Sequence, residues 1–427
     1  MTLRELFTLY ILFASTICWG ADPRADGGTT ADTLARSKHF TAWRNDNGIV
    51  SYVLTTQAAP FQQSMYYTNL TFTTDGKYLW FSAAFPPANT KCLGVVDFIK
   101  DEVRIYKDTV FEGAVPLIDL ESGDAYWVEA RGGQRHIGDY YRVFKRGAGA
   151  DAAIQEVGRI PHLVEGSAPP RQVATHLTFN ADKTGIGFDS GNYANNKTFA
   201  GVVSLATGQA GIWGELDRRY NHGLMHPTDK DVMLIMQDYF TDNAGQFGEK
   251  GARVGIENRM WLLFSDGEKK AVFPTPNSIY HEWWDVDGKY LWYIDKSGNC
   301  GGVGTCRVAV DTKRRQIGKP RLVWPNAVGH SHCDSSGRYL VGDHNYKSWK
   351  DTNTARVSFY NAAKAAEVNI VTSMPYPKYD QYHTHPHPQF AKNDEFICYT
   401  TTVMGFDTLA LCPVKQLIEH KEGDKKI

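Results

Sequence analysis

The sequence predicts an all-β protein: a seven-bladed β-propeller whose last blade is closed by an N-terminal strand. A strand-turn-strand phrase recurs seven times, with turns at Asp75, Ser122, Asp182, Asp229, Asp287, Ser336 and Asn393 spaced 47, 60, 47, 58, 49 and 57 residues apart. A period of this size, with an Asp-Gly-type turn between aromatic or β-branched runs, is the mark of propeller blades. Histidine also recurs at one place in the phrase. Six residues before the turn stand Asn69, Pro116, His176, Gly223, His281, His330 and His387, and His222 misses that register by one. With 14 histidines in 427 residues, chance places far fewer than one histidine in seven such slots, and four are found.

Taken in chain order, the first 21 residues carry Arg4, an apolar run from Leu6 to Trp19 and then Gly20-Ala21, the pattern of a secretory signal peptide. Removal of residues 1–21 leaves a protein expected in the extracellular space or periplasm. Residues 22–40 are polar and Gly/Thr-rich, and read as a flexible lead-in; residues 41–427 read as one propeller domain. The segment from Gly48 to Thr56 alternates like a strand but has no blade of its own.

The seven phrases then supply the blades. In each, a run such as Trp283-Trp284 enters a turn where a glycine such as Gly288 supplies positive φ, and a second run such as Tyr290-Leu291-Trp292-Tyr293 leaves it. The first strand of each phrase is expected to be the innermost of its blade. After the last turn only 34 residues remain. That leaves the last blade one strand short, and the N-terminal strand can fill the gap and remove the open edge at the seam.

A formal net charge of −1 gives no reason to expect nucleic acid as a partner, and no later stretch is apolar enough for a membrane span. The protein is expected to act as a monomer. Six cysteines follow the leader. Cys300 and Cys306 flank a Gly-rich loop short enough to bridge in an oxidising compartment.

Radial geometry brings the inner-strand starts together at one mouth of the channel, and the loops after the second strands crowd the same mouth. Those loops add His136, Tyr193, Tyr239, His344 and Tyr346. Two groupings emerge. The later blades offer His281, Cys333, His385 and His387, with His332 in reserve. Three imidazoles and a thiolate form a closed tetrahedral set suited to a structural Zn²⁺, with Mn²⁺ or Ca²⁺ as alternatives. Blades three and four offer His176, His222, Tyr193, Tyr239 and Arg259. A base, a phenol and a guanidinium are what β-elimination from a uronic acid requires: proton removal at C5, charge stabilisation at the carboxylate and protonation of the departing O4.

At His281-Glu282-Trp283-Trp284, Arg259-Met260-Trp261 and Thr384-His385-Pro386-His387-Pro388-Gln389-Phe390 the chain resembles the propeller lyases that degrade uronic acid polysaccharides. These include the oligogalacturonate lyases, with a metal on histidines in a comparable setting, and the propeller-type ulvan lyases. The resemblance to oligogalacturonate lyases implies a catalytic histidine shortly before the Arg-Met-Trp strand, where this chain reads Gln237-Asp238-Tyr239-Phe240. The resemblance to ulvan lyases implies His176 as base, Tyr239 as acid and Arg259 at the carboxylate, beside a structural zinc. The expectation from sequence is therefore a secreted lyase acting on the anionic algal polysaccharide ulvan, with an oligogalacturonate lyase or a non-catalytic glycan- or protein-binding propeller as alternatives.

Overall fold

The computed structural model describes residues 30–113, 115–129, 140–161, 172–173, 175–192, 196–273, 278–326 and 328–420. The leader, residues 1–21, lies outside them, as do His136 and Tyr193. The described residues form seven antiparallel blades. The first holds Phe61–Gln63, Tyr78–Ala84, Lys91–Asp97 and Glu102–Phe111, and five more follow at 117–161, 172–216, 220–271, 279–324 and 331–374. In the later blades the first strand of the phrase pairs with only one neighbour and lies innermost, as the repeat predicts; in the first blade Phe61–Gln63, ahead of the phrase, holds that place, and the phrase's first run adds only the bridge of Phe72 to Leu79.

The seventh blade joins the chain ends. Gln389–Ala391, Phe396–Thr401 and Thr408–Pro413 are extended by Val50–Leu54, with Tyr52 opposite Leu411 and Val53 opposite Ala410. The N-terminal segment adds a second strand, Phe40–Arg44, outside the first. The seam is fixed by polar contacts as well as by pairing. Tyr399 donates its hydroxyl to Ser51 Oγ at 2.8 Å, and Gln416, on the terminal helix Val414–Glu419, bonds both the N–H and the carbonyl of Val50 at 2.9 and 2.7 Å.

The lead-in departs from expectation at its end. Ala31–Arg36 forms a short helix capped by the Thr30 side chain, which accepts from Thr33 N at 3.2 Å. Leu34 is fully buried against Phe40 and Leu54, so apolar burial holds the segment to the blade. Polar composition concealed this because one leucine suffices for the contact.

The core is the set of inter-blade layers of alternating aromatic and β-branched side chains, such as Trp283 and Trp292 stacked at 5.8 Å and Trp324 and Tyr360 at 5.2 Å. Turn chemistry also links blades. Gly288 sits at φ 70°, a Cβ there would lie 2.3 Å from the His226 ring, and its carbonyl bonds His226 Nε2 at 2.9 Å. Only glycine satisfies both demands.

Candidate active site at the histidine mouth of the channel

The inner strands of blades four and five are bulged. Asn221 pairs with Met236 and Leu224 with Leu234, while Tyr280 pairs with Ile294 and Trp283 with Trp292, so three residues span two on the partner in both cases. His222 and His281 occupy the same place in the two bulges, at φ 52° and 55°. The register difference of one residue in the sequence is absorbed by the turn, and His222 is the structural counterpart of His281. His383 and His387 also hold left-handed backbone, at φ 57° and 42°. Non-glycine residues in this region are strained, and such strain collects where side chains must be aimed at a site.

Tyr66 occupies the centre of the mouth. Its ring lies 4.4 Å from that of His176, 4.7 Å from His387, 5.8 Å from both His222 and His330, and 4.5 Å from Tyr67. Burial, and then the Glu282 carboxylate, push its phenol far above the ordinary range, so it is a protonated donor at any working pH. The sequence offered only a faint signal for it: the pair Tyr66-Tyr67 precedes the first phrase, whose own slot holds Asn69.

His330, His385 and His387 present one ligating nitrogen each, all within 4.8 Å of one another. Asp343 fixes the first of these. Its carboxylate, fully buried, accepts the His330 backbone N–H at 2.7 Å and bonds His330 Nδ1 at 2.8 Å, leaving Nε2 free to face the cluster. This is the carboxylate–histidine arrangement that orients metal ligands. His385 Nδ1 and His387 Nε2 are buried without hydrogen-bond partners. Orphaned ring nitrogens aimed at one point fit a divalent cation. Burial holds His385 down to about 2, and burial with the neighbouring imidazoles holds His387 well below the usual imidazole range, so both are neutral donors.

Cys333, expected in the metal set, and His332, held in reserve for it, stand elsewhere. Cys333 faces the core between blades, where its Sγ accepts from Trp283 Nε1 at 3.4 Å, and burial raises its thiol far above the ordinary range. The inner strand runs from His330 at the mouth toward the Asp-Gly turn, so Cys333, three residues on, lies past the triad. His332 is turned away as well. Its Nδ1 accepts from Phe390 N at 3.1 Å, and it lines a cavity with Asp285, Asp334 and Asn393, residues of the Asp-Gly turn face. His281 lies beside the triad, its ring 4.1 Å from that of His330, with Nδ1 bonded to the Gly329 carbonyl at 2.5 Å. The structure thus brings His330 into the cluster and leaves Cys333 out.

Of the residues expected in catalysis, His176, His222 and Arg259 gather around Tyr66. His176 and His222 lie 4.9 Å apart. Both nitrogens of His176 are buried without partners, and burial lowers its pKa to about 3. Asp189 stands opposite His176 as Asp343 stands opposite His330. Its carboxylate instead bonds Thr175 and the N–H of Gly223, so the His176 ring is not held by it. His222 is half-buried and held well below the imidazole range by burial, then by His176 and Arg259. The Arg259 guanidinium is buried and donates to Glu282 Oε1 at 3.0 Å and to the Gln237 carbonyl at 3.2 Å, with Asp238 Oδ1 at 3.5 Å.

Tyr239 is not part of this group. It is 39% exposed, and the Arg253 guanidinium covers its ring at 4.4 Å. It lies just past the second strand, at the start of the excursion formed by Phe240–Thr241 and Arg253–Val254.

No family model matches this chain. It is 25% identical to the oligogalacturonate lyase of Dickeya dadantii (strain 3937) over 227 residues, 50% of this chain and 54% of that protein. It is 24% identical to the oligogalacturonide lyase of Pectobacterium atrosepticum over 229 residues, with the same coverage. The chain therefore spans about half the length of the curated relatives it matches. Among solved structures it superposes on an oligogalacturonate lyase in complex with manganese with TM-score 0.65 at 18% identity, covering 88% of this chain and 96% of the other. An oligogalacturonate lyase from Vibrio parahaemolyticus gives TM-score 0.67 at 16% identity with the same coverage. These relatives support the lyase resemblance through its oligogalacturonate branch, and none of them bears on ulvan. Over half its length the chain is related in sequence to oligogalacturonate lyases, and its fold is their seven-bladed propeller.

Proposed function

We propose that this protein is a lyase that cleaves short galacturonate chains by β-elimination, leaving an unsaturated uronyl end. The observation that carries the reading is the convergence, at one channel mouth, of neutral imidazoles with unsatisfied nitrogens around a protonated phenol. In the elimination a base takes the C5 proton, the C4–O4 bond breaks as the C4–C5 double bond forms, and an acid protonates O4. His222 is the base: it is partly exposed and neutral at neutral pH, kept so first by burial and then by the neighbouring His176 and the Arg259 charge. Tyr66 is the proton donor, its hydroxyl held protonated among the histidine rings. Arg259, buried between Glu282 and Asp238, acts on these two groups through its field and does not reach substrate.

His330, His385 and His387 would hold a divalent cation, which supplies a Lewis acid able to polarise the uronate carboxylate. With Cys333 outside the set, three imidazoles leave coordination positions open, the pattern of a catalytic rather than a closed structural site. The manganese complex of the structural relative favours Mn²⁺ over the Zn²⁺ expected from sequence. The apolar leader supports export, and the paired Cys300 and Cys306, with Cα atoms 6.4 Å apart, suit an oxidising compartment.

The test is His222→Asn with trigalacturonate. Turnover is expected to fall by about 100-fold or more while binding persists. An active His222→Asn protein would remove the assigned base and with it the proposed mechanism.

A further inference from the structure

Beside the histidine triad, the loops after the second strands of blades five and six bring two lysines to one tyrosine ring. Lys296 Nζ lies 4.8 Å from the Tyr280 ring and Lys347 Nζ 5.6 Å from the same ring; Lys347 is also 5.9 Å from that of Tyr346. Both lysines are exposed, and neither forms an ion pair among the described residues. Partial burial, and then Lys347, lower the pKa of Lys296. Burial, then His383 and after it the two lysines, disfavour protonation of His330, which places both cations near the triad. Tyr346 ties the patch to the triad: its ring lies 4.6 Å from His385 and 4.7 Å from His330.

Two unneutralised ammonium groups held together above a phenol ring disfavour each other unless an anion joins them. If the triad takes one uronate carboxylate, the next sugar of an acidic chain comes within reach of these lysines, since Tyr346 touches both the triad and Lys347. We infer that Tyr280, Lys296 and Lys347 form a neighbouring subsite, in which a second uronate residue lies on the Tyr280 ring with its carboxylate between the two ammonium groups. The inference rests on the galacturonide reading for the identity of the sugar. The chemistry needed is an apolar sugar face for the ring and a negative charge for the lysines.

The site is tested by calorimetric binding of trigalacturonate, and of the same trisaccharide with its carboxylates reduced to alcohols, to the full-length protein. The Lys296→Gln/Lys347→Gln double variant is expected to keep the wild-type melting temperature and bind trigalacturonate about tenfold more weakly, with a shallower salt dependence. The Lys296→Arg/Lys347→Arg variant is expected to restore binding, since charge and not lysine geometry carries the contact. Equal affinity of the Gln variant and the wild type, equal affinity of the wild type for the reduced trisaccharide, or no binding of trigalacturonate at all would each overturn the subsite. If the wild type yields no unsaturated product yet binding still falls in the Gln variant, the lyase reading fails and the subsite stands. If turnover is present and binding unchanged, the reverse holds.

Discussion

Asp343→Asn changes one atom in a fully buried group and strikes the feature that distinguishes His330 from His176. Asp343 accepts three N–H groups: His330 N at 2.7 Å, His330 Nδ1 at 2.8 Å and His387 N at 3.4 Å. An asparagine has only one acceptor oxygen, so one orientation turns its NH₂ toward the His330 backbone N–H, leaving a buried donor unpaired at a cost of about 1–3 kcal/mol. The other turns the NH₂ toward Nδ1 and drives the ring proton to Nε2, the nitrogen needed for a metal. Either way the oriented ligand is lost, and loss of such a partner lowers metal affinity about 10–100-fold, or about 1.4–2.8 kcal/mol. The assay is Mn²⁺ titration by calorimetry on chelator-treated wild type and variant, with thermal melts of both metal-free proteins. The variant is expected to melt lower without metal and to gain less stability from it. An unchanged Mn²⁺ affinity in the variant would refute the reasoning that Asp343 orients a ligand.

Three further outcomes follow from named contacts. Tyr66→Phe is expected to lower kcat on galacturonides by about 100-fold or more and Tyr239→Phe by less than about threefold; the opposite order would restore Tyr239 as the acid. His176 is neutral in the fold down to about pH 3, whereas the unfolded chain takes up the proton near 6.5. Its contribution is complete above pH 6.5 and lost as pH falls toward 3, at up to about 1.4 kcal/mol per pH unit. His176→Phe should therefore spare about 2 kcal/mol of the loss between pH 6.5 and 5, read from urea midpoints, and equal losses in both proteins would contradict it. Leu34→Ala should cost about 2–5 kcal/mol in the same assay, where a mobile lead-in would give no change.

The sequence displays what repeats and hides what depends on a single bulge or side-chain direction. Seven Asp-Gly-type phrases state the blade number, and the strand around Val53 announces the closure because it has no local partner. The histidine mouth was legible because His176, His281, His330 and His387 hold one register. His222 looked misplaced because the phrase was aligned on its turn, while the equivalence lies in the bulge before it. Cys333 reads as a ligand by adjacency to His332, yet both lie further along the inner strand than His330, the residue that reaches the triad. Tyr66 lies before the first phrase, outside any repeat position, and reaches the centre only because seven strands converge there. Asp343, on the strand Tyr339–His344, carries no sequence mark as the partner of His330, thirteen residues away across a strand pair.

The central claim is β-elimination at the histidine mouth. It is tested most directly by following the ultraviolet absorbance of the unsaturated uronyl product with trigalacturonate and ulvan offered side by side, with Mn²⁺ and after chelation. The account predicts a rise with trigalacturonate that chelation abolishes and Mn²⁺ restores. A rise with ulvan alone would contradict the substrate, a rise indifferent to chelation would contradict the metal, and no rise with either would contradict the lyase itself.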